Sequence, residues 1–245
     1  MSKYLSISTK APESFEKEKT KEKTAELILK LRDLQAVLYA EAKRSVLIIL
    51  QGIDASGKDG TVKHVFTGVN PMGCNVHSFK APTSEDSSHD FLYRVHSNAP
   101  AKGMIGIFNR SHYEDILVPT VHKLLPEGRI KKRYDYINSF EHLLKDSGTI
   151  IFKFFLHISK EEQAERFDER KTNPEKEWKY QPEDLGESKF WDDYMKVYEE
   201  IFDTCSPEIP WLMVPADQNW YRNYFIAKTL VDTLKALDMK YPERK

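Results

Sequence analysis

"SVLIILQGIDASGKDGTVKHV" occupies residues 45–65. Five of its first six residues are apolar, in a run between charged "EAKR" and Gly52, which predicts a strand buried on both faces, as in a parallel sheet. Gly52, four further residues, Gly57 and Lys58 follow, and the segment after them reads as helix. This is the strand–loop–helix order of a phosphate-binding loop. Glycines let successive backbone N–H groups turn inward around phosphate oxygens, the helix presents its positive end, and the lysine adds a point charge. Three fixed positions alone are a weak signal, because a glycine-rich strand-to-helix turn has the same spacing; the flanking elements carry the inference.

The loop departs from the usual pattern. Asp59 stands where a magnesium-binding Ser or Thr normally follows the lysine, and Asp54 lies inside the loop. Two carboxylates beside a polyanion repel it, unless a divalent cation lies between them or one of them orients an incoming nucleophile. Mg²⁺ is therefore implied, with Mn²⁺ as the alternative, since these ions take hard oxygen ligands. Asp59 also reads as a first-turn acid offsetting the helix macrodipole.

Outward from the loop, strands are expected at "CNVHSF" (74–79), "MIGIF" (104–108), "TIIFKFFLHI" (149–158) and "WLMVP" (211–215). Segments with helical periodicity separate them. Leu27, Leu31, Leu34 and Leu38 form one apolar stripe over 20–42; Asp86 to His96, Tyr134 to Lys145 and Asn219 to Leu237 form others. Ser159 and Glu162 stand three apart and predict a capping box opening a helix toward Arg170. Strands alternating with helices imply right-handed βαβ units and an α/β three-layer sandwich with a mostly parallel five-stranded sheet. One domain over 1–245 is expected, with an N-terminal helical arm over about 1–43. The polar, twice proline-broken stretch 171–194 reads as a mobile lid, in a lid module over about 160–190.

Composition narrows the function classes. The chain is 40% hydrophobic and 31% charged with a net charge of −1, so a general nucleic-acid coat, which needs surplus Lys and Arg, is disfavoured. Cys74 and Cys205 form no CxxC pair, which fits a reduced, cytoplasmic protein without a disulfide framework or thiolate metal site. No apolar run is long enough to cross a bilayer and the first residues have no signal-peptide core, so no membrane association is expected.

A second cluster lies in "GMIGIFNRSHYED" (103–115), a strand whose carboxyl end carries Asn109, Arg110, Glu114 and Asp115. Ligands in doubly wound sheets bind at that end, so the cluster should face the loop, with Arg110 placed to clamp a transferring phosphoryl group. An Arg110–Glu114 surface ion pair is the structural alternative. Arg166 and Arg170 are one helical turn apart and share a face where both reach one polyphosphate or nucleotide; Arg133 lies in the basic stretch "GRIKKRYDYIN" (128–138). Lys131, Lys132 and Lys171 read as solvated, and none of the eight histidines is assigned to catalysis.

Taken together, "GIDASGKDG", "VHSFKAPTSEDSSHDFLYRVH", "IFNRSHYEDILV", "INSFEHLL", "GTIIFKFFLHISKEEQAERFDER", "NPEKEWKY" and "PADQNWYRN" closely resemble the polyphosphate kinase type 2 family over about residues 30–235. The resemblance implies a thymidylate-kinase-like P-loop kinase core with a helical lid. It also implies Mg²⁺-dependent transfer of the terminal phosphate of inorganic polyphosphate to a nucleotide, ADP or AMP, and a homo-oligomer, dimer or tetramer. By matching motif, Asp54, Lys58 and Asp59 correspond to essential loop residues, Asn109 and Arg110 to a Walker-B-like motif, and Arg170 to a lid arginine. Many relatives carry aspartate where Asn109 stands. The "FNRSHYED" wording resembles the subgroup that accepts both nucleoside mono- and diphosphates. The expected catalytic set is thus Asp54, Lys58, Asp59, Arg110 and Arg170, with Asp54 and Asp59 on the metal. Gly52, Ala55, Ser56, Gly57, Gly60, Thr61, Lys80, Asn109, Glu114, Arg133 and Arg166 are the expected phosphate or nucleotide contacts. An ATP-dependent nucleoside monophosphate kinase and a non-catalytic nucleotide-binding module are the alternatives.

Overall fold

The computed structural model describes residues 4–178, 186–205 and 207–243. The five expected strands form: β1 (Ser45–Gln51), β2 (Cys74–Ser78), β3 (Ile105–Asn109), β4 (Thr149–His157) and β5 (Trp211–Pro215). They lie in the order β2-β3-β1-β4-β5, every neighbouring pair parallel, so all five carboxyl ends reach the same edge. β1 is central and buried at all seven positions. Its side chains alternate between two cores, Leu47 and Ile49 in one, Val46, Ile48 and Leu50 in the other. Each such side chain contributes about 1.5–3 kcal/mol of apolar burial, which is why this run admits no polar face.

Two helical layers cover the sheet. Helix α1 (Lys17–Glu41), α2 (Lys58–Val65) and the last helix (Asn219–Ala236) share one face; α1 supplies Leu31 and Leu38 from its predicted stripe. Ala42, in the left-handed conformation, ends α1, its N–H bonding the Leu38 carbonyl. The other face carries α5 (Glu114–Val121) and α6 (Glu127–Asp146), whose Ile137, Phe140 and Leu144 enter the core as expected, and the helix Trp191–Thr204. The fold is an α/β three-layer sandwich around a parallel five-stranded sheet, with the glycine-rich loop leaving its central strand.

Local expectations fail where side chains compete for backbone groups. The helix expected over 86–96 is two short ones, α3 (Ser84–Ser88) and α4 (Tyr93–His96). His89 between them is extended, and the Asp90 carboxylate accepts the Leu92 N–H, starting a new turn. A reciprocal capping box forms at Thr83 and Asp86. At Ser159, which opens α7 (Lys160–Thr172), only half of the expected box forms: the hydroxyl accepts the Glu162 N–H. The Ser159 N–H is taken by Asp217 Oδ1 (2.8 Å), and the Glu162 carboxylate turns to Arg166 instead. After α7 comes α8 (Pro174–Glu177); Lys179 and Tyr180, which close the "NPEKEWKY" segment of the expected lid, lie outside the described residues. Lys131 pairs with Glu127 and Lys171 with Asp168 on the surface, worth little in stability.

Candidate active site

The sheet edge assembles the site. β1 delivers the loop that begins at Gly52, and β3 lies beside β1 with Asn109 opposite Leu50. The Arg110 N–H bonds the Leu50 carbonyl (3.0 Å), so the chain leaves β3 directly over the loop. Two cross-links follow. Asn109 Nδ2 donates to Asp59 Oδ1 (2.7 Å), and Arg110 Nη2 donates to Asp54 Oδ1 (2.7 Å). The Arg110 hydrogen-bonded ion pair is thus with Asp54 rather than Glu114. Asn109, a neutral amide, orients the Asp59 carboxylate. Ala55 and Arg110 both hold φ of 63°, a left-handed conformation that non-glycine residues adopt mainly where structure over-determines them, typically at functional sites.

In front of the loop lies a groove of about 720 Å³. Asp54, Ala55, Ser56, Gly57, Lys58, Asp59 and Gly60 form one wall; Lys80, Asn109, Arg110 and Arg170 supply others, and Trp178 stands on the rim. Eleven of the expected residues therefore converge on one polyanion-sized cleft. Thr61 is buried and donates to the Gly57 carbonyl (3.1 Å), bracing the turn from beneath. Lys58 is also buried: its Nζ donates to the carbonyls of Gly52 (2.6 Å) and Ile53 (3.1 Å). Burial, and next the Arg110 charge, bring its pKa down to about 8 against the pull of Asp54, Glu114 and Asp59.

A second cavity, about 160 Å³, meets the groove at Asp54 and Arg110. Gly52 and Glu114 face this one, with Leu117, Val118, His122, Glu187, Trp191, Tyr194 and Tyr198. Burial raises the Glu114 pKa, opposed by Arg110 and Lys58, and Gln51 holds it through an amide nitrogen turned to its Oε1 (3.0 Å).

Two expected contacts sit elsewhere. Arg133 donates to the Asp115 carbonyl and lies over the Phe91 ring at 4.6 Å, in a separate polar pocket with Arg94. Arg166 faces the back of the loop, donating to the carbonyls of Ala55 (2.8 Å), Ala216 (2.7 Å) and Asp217 (3.1 Å). Its face is shared with Arg170 in sequence, but α7 docks so that only Arg170 lines the groove. Gln163, which the sequence did not single out, ties the same helix to the loop through the Asp54 carbonyl (2.9 Å). Arg222 was missed as well. It is 1% exposed and lies on the apolar stripe Arg222, Ile226, Leu230 of the last helix. A charged residue at i of an i, i+4, i+8 apolar series is the signal that marks it.

Gly57 shows how tightly the loop is backed. Its φ is 99°, and a Cβ placed there would lie 2.0 Å from Arg222 Nη1. Gly57→Ala should therefore abolish phosphate binding rather than weaken it, since both backbone conformation and space are lost. Isothermal titration with inorganic tripolyphosphate checks this; a Gly57→Ala protein that binds it like wild type contradicts the loop assignment.

Among the described residues no three His, Cys, Asp or Glu side chains form a metal cage. Asp54 and Asp59 are two hard-oxygen carboxylates on one groove, a donor set that suits Mg²⁺, which keeps several waters and shares substrate phosphate oxygens.

Comparison with known proteins places the chain. The family model described as Polyphosphate kinase 2 (PPK2) matches residues 14–242. The AMP/ADP-polyphosphate phosphotransferase of Meiothermus ruber is 50% identical over 223 residues, 91% of this chain and 84% of that protein. The ADP-polyphosphate phosphotransferase of Rhodopseudomonas palustris is 44% identical, over 87% of this chain and 78% of its own length. The crystal structure of polyphosphate kinase 2 from Arthrobacter aurescens superposes with a TM-score of 0.95 at 39% identity, covering 98% of this chain and 87% of that one. With a phosphate loop on a parallel sheet and these matches along nearly its whole length, the chain belongs to the polyphosphate kinase 2 family.

Proposed function

We propose that the protein moves the terminal phosphoryl group of inorganic polyphosphate onto the terminal phosphate of ADP or AMP. One observation carries the reading: two cavities of opposite character meet at the Asp54–Arg110 pair. The groove, with Lys58, Lys80, Arg110, Arg170 and the loop amides, suits a polyanion. The second cavity, with Glu114, Glu187, two tyrosines and apolar Leu117 and Val118, suits the hydroxyls and base of a nucleoside and repels a polyphosphate. At about 160 Å³ it is smaller than the 300 Å³ or more usual for ligand sites, so its wall at Glu187, Ser188 and Trp191 moves outward to admit a nucleotide.

In the transfer, an oxygen of the nucleotide's terminal phosphate bonds to the last phosphorus of the polymer. The bridging P–O bond breaks in line, and the shortened polymer leaves with the bonding electrons. The attacking oxygen is already ionised near neutral pH, so positioning and charge stabilisation outweigh proton abstraction. The loop amides and Lys58 hold the donor, Arg110 and Arg170 neutralise charge on the transferring group, and Asp54 fixes Arg110 where the cavities join. Asp59, oriented by Asn109, and Asp54 are the residues that would hold Mg²⁺, which when bound screens charge between donor and acceptor phosphates. A homo-oligomer is part of this reading.

The test is an assay of purified protein with Mg²⁺ and ADP, with and without polyphosphate. ATP is expected only with the polymer. Phosphorylation of AMP that runs on ATP instead, or no turnover with any donor, overturns the proposal.

A further inference from the structure

Arg222 has a chemistry that the transfer reaction leaves unexplained. Its side chain is 1% exposed, held in the core by the last helix. Nη1 donates to Asn219 Oδ1 (2.6 Å), and Nε and Nη2 to Asn223 Oδ1 (3.2 and 3.0 Å). These acceptors are neutral amides, and among the described residues no carboxylate pairs with this guanidinium. Lys153, equally buried, meets Glu141 at 2.8 Å. A buried ion without a counter-charge is costly, and arginine does not relieve that cost by giving up its proton. Burial, and after it the like charge of Arg166, push its pKa down, a measure of how unfavourable the position is for a cation.

What stands in front of Arg222 is the phosphate loop. A Cβ on Gly57 would fall 2.0 Å from Nη1, and one on Gly60 3.2 Å from Nη2, so the guanidinium lies directly against the back of the peptides whose front forms the groove. Gly57 is the N-cap residue of α2, so the arginine adds to the positive end of that helix. With only protein between the charge and the groove, its field reaches the groove less screened than through water.

We propose that Arg222 is a positioning residue of the donor site: a buried cation behind Gly57 and Gly60 whose counter-ion is the polyphosphate bound in front of them. This rests on the reading of the groove as the polyphosphate site. It sets Arg222 apart from Arg110 and Arg170, which reach the groove directly, and from Arg166, which is paired with the Glu162 carboxylate and donates to the Ala55 carbonyl. The arginine packs against the loop and its field is in place before the donor arrives, so no reorganisation is needed on binding.

The experiment compares full-length wild type, R222Q and R222K. Without ligand, R222Q should melt within a few degrees of wild type, because removing an uncompensated buried charge offsets the lost hydrogen bonds. Its affinity for inorganic tripolyphosphate, measured by titration calorimetry, should fall on the order of tenfold. The KM for polyphosphate should rise while the KM for ADP stays unchanged, and R222K, which keeps the charge, should recover most of the affinity. An R222Q protein that fails to fold shows the arginine to be a structural support and overturns the proposal. So does one that binds tripolyphosphate like wild type, or an R222K as impaired as R222Q. Wild-type protein that makes no ATP from polyphosphate and ADP refutes the proposed function instead, a result read in a separate arm.

Discussion

Replacing Arg110 by alanine is expected to lower polyphosphate-dependent ATP formation by about 10³-fold or more, the scale of arginine contacts to a transferring phosphoryl group. The fold should survive. The Arg110 side chain is 40% exposed and its hydrogen-bond partner, Asp54, is itself partly exposed, so the pair adds at most about 1 kcal/mol to stability. Arg110→Lys should not restore the rate, because a single ammonium cannot bridge Asp54 and a phosphoryl oxygen with the planar geometry of a guanidinium. Initial rates beside thermal melts of both variants check this; an Arg110→Ala enzyme within tenfold of wild type would remove the residue from the mechanism. Lys58→Ala should be as inactive but is less cleanly interpreted. Its Nζ also holds the Gly52 and Ile53 carbonyls, so its loss disturbs the loop as well as the charge.

The second large effect concerns stability. Glu141 on α6 and Lys153 on β4 are both fully buried and bonded at 2.8 Å. Tyr113 donates to Glu141 Oε1 at 2.6 Å, and the His112 ring lies 3.2 Å from the same oxygen. Glu141→Ala leaves the lysine buried with its counter-charge gone, at a cost of about 3–5 kcal/mol, or a fall in melting temperature on the order of 10 °C. Adding Lys153→Met should recover much of it, since removing both charges is far less harmful than removing one. Burial raises the Glu141 pKa, but the His112 bond and the Lys153 charge outweigh it and hold the carboxyl at about 2, against an ordinary 4.5. A carboxyl depressed in the folded state contributes stability above its unfolded pKa, so this contribution is present above about 4.5 and is lost as pH falls toward about 2. Urea midpoints of the single and double variants across that window measure it. A Glu141→Ala protein as stable as wild type would show that the pair is not what holds α6 to the sheet. Because His112 and Tyr113 follow Arg110 in the chain, the same network anchors the segment that leaves β3 for the active site.

Sequence reading reached furthest where information is local. All five strands and the loop were legible because alternation, apolar runs and glycine spacing act within about 20 residues. It failed where a distant side chain took a backbone group. Asp217 claimed the Ser159 N–H and undid half of a capping box, and neither residue carries a sign of the other. Charge on a helix face misled in the same way. The i, i+4 spacing of Arg166 and Arg170 is real, but which of them reaches the groove depends on how α7 docks on Ala55 and Asp54.

The sequence by itself determined that the chain has a phosphate loop between a buried strand and a helix, with one carboxylate inside the loop and another after its lysine, because that pattern is written in consecutive residues. Only the tertiary structure decided the partners across the loop: Asn109 with Asp59, Arg110 with Asp54, and Arg222 behind Gly57. The first two pairs are 50 and 56 residues apart. What joins them is the order β2-β3-β1-β4-β5, which sets β3 beside β1. No local window encodes that neighbour relation; it arises when the two helical layers close over the sheet and bury both its faces at once.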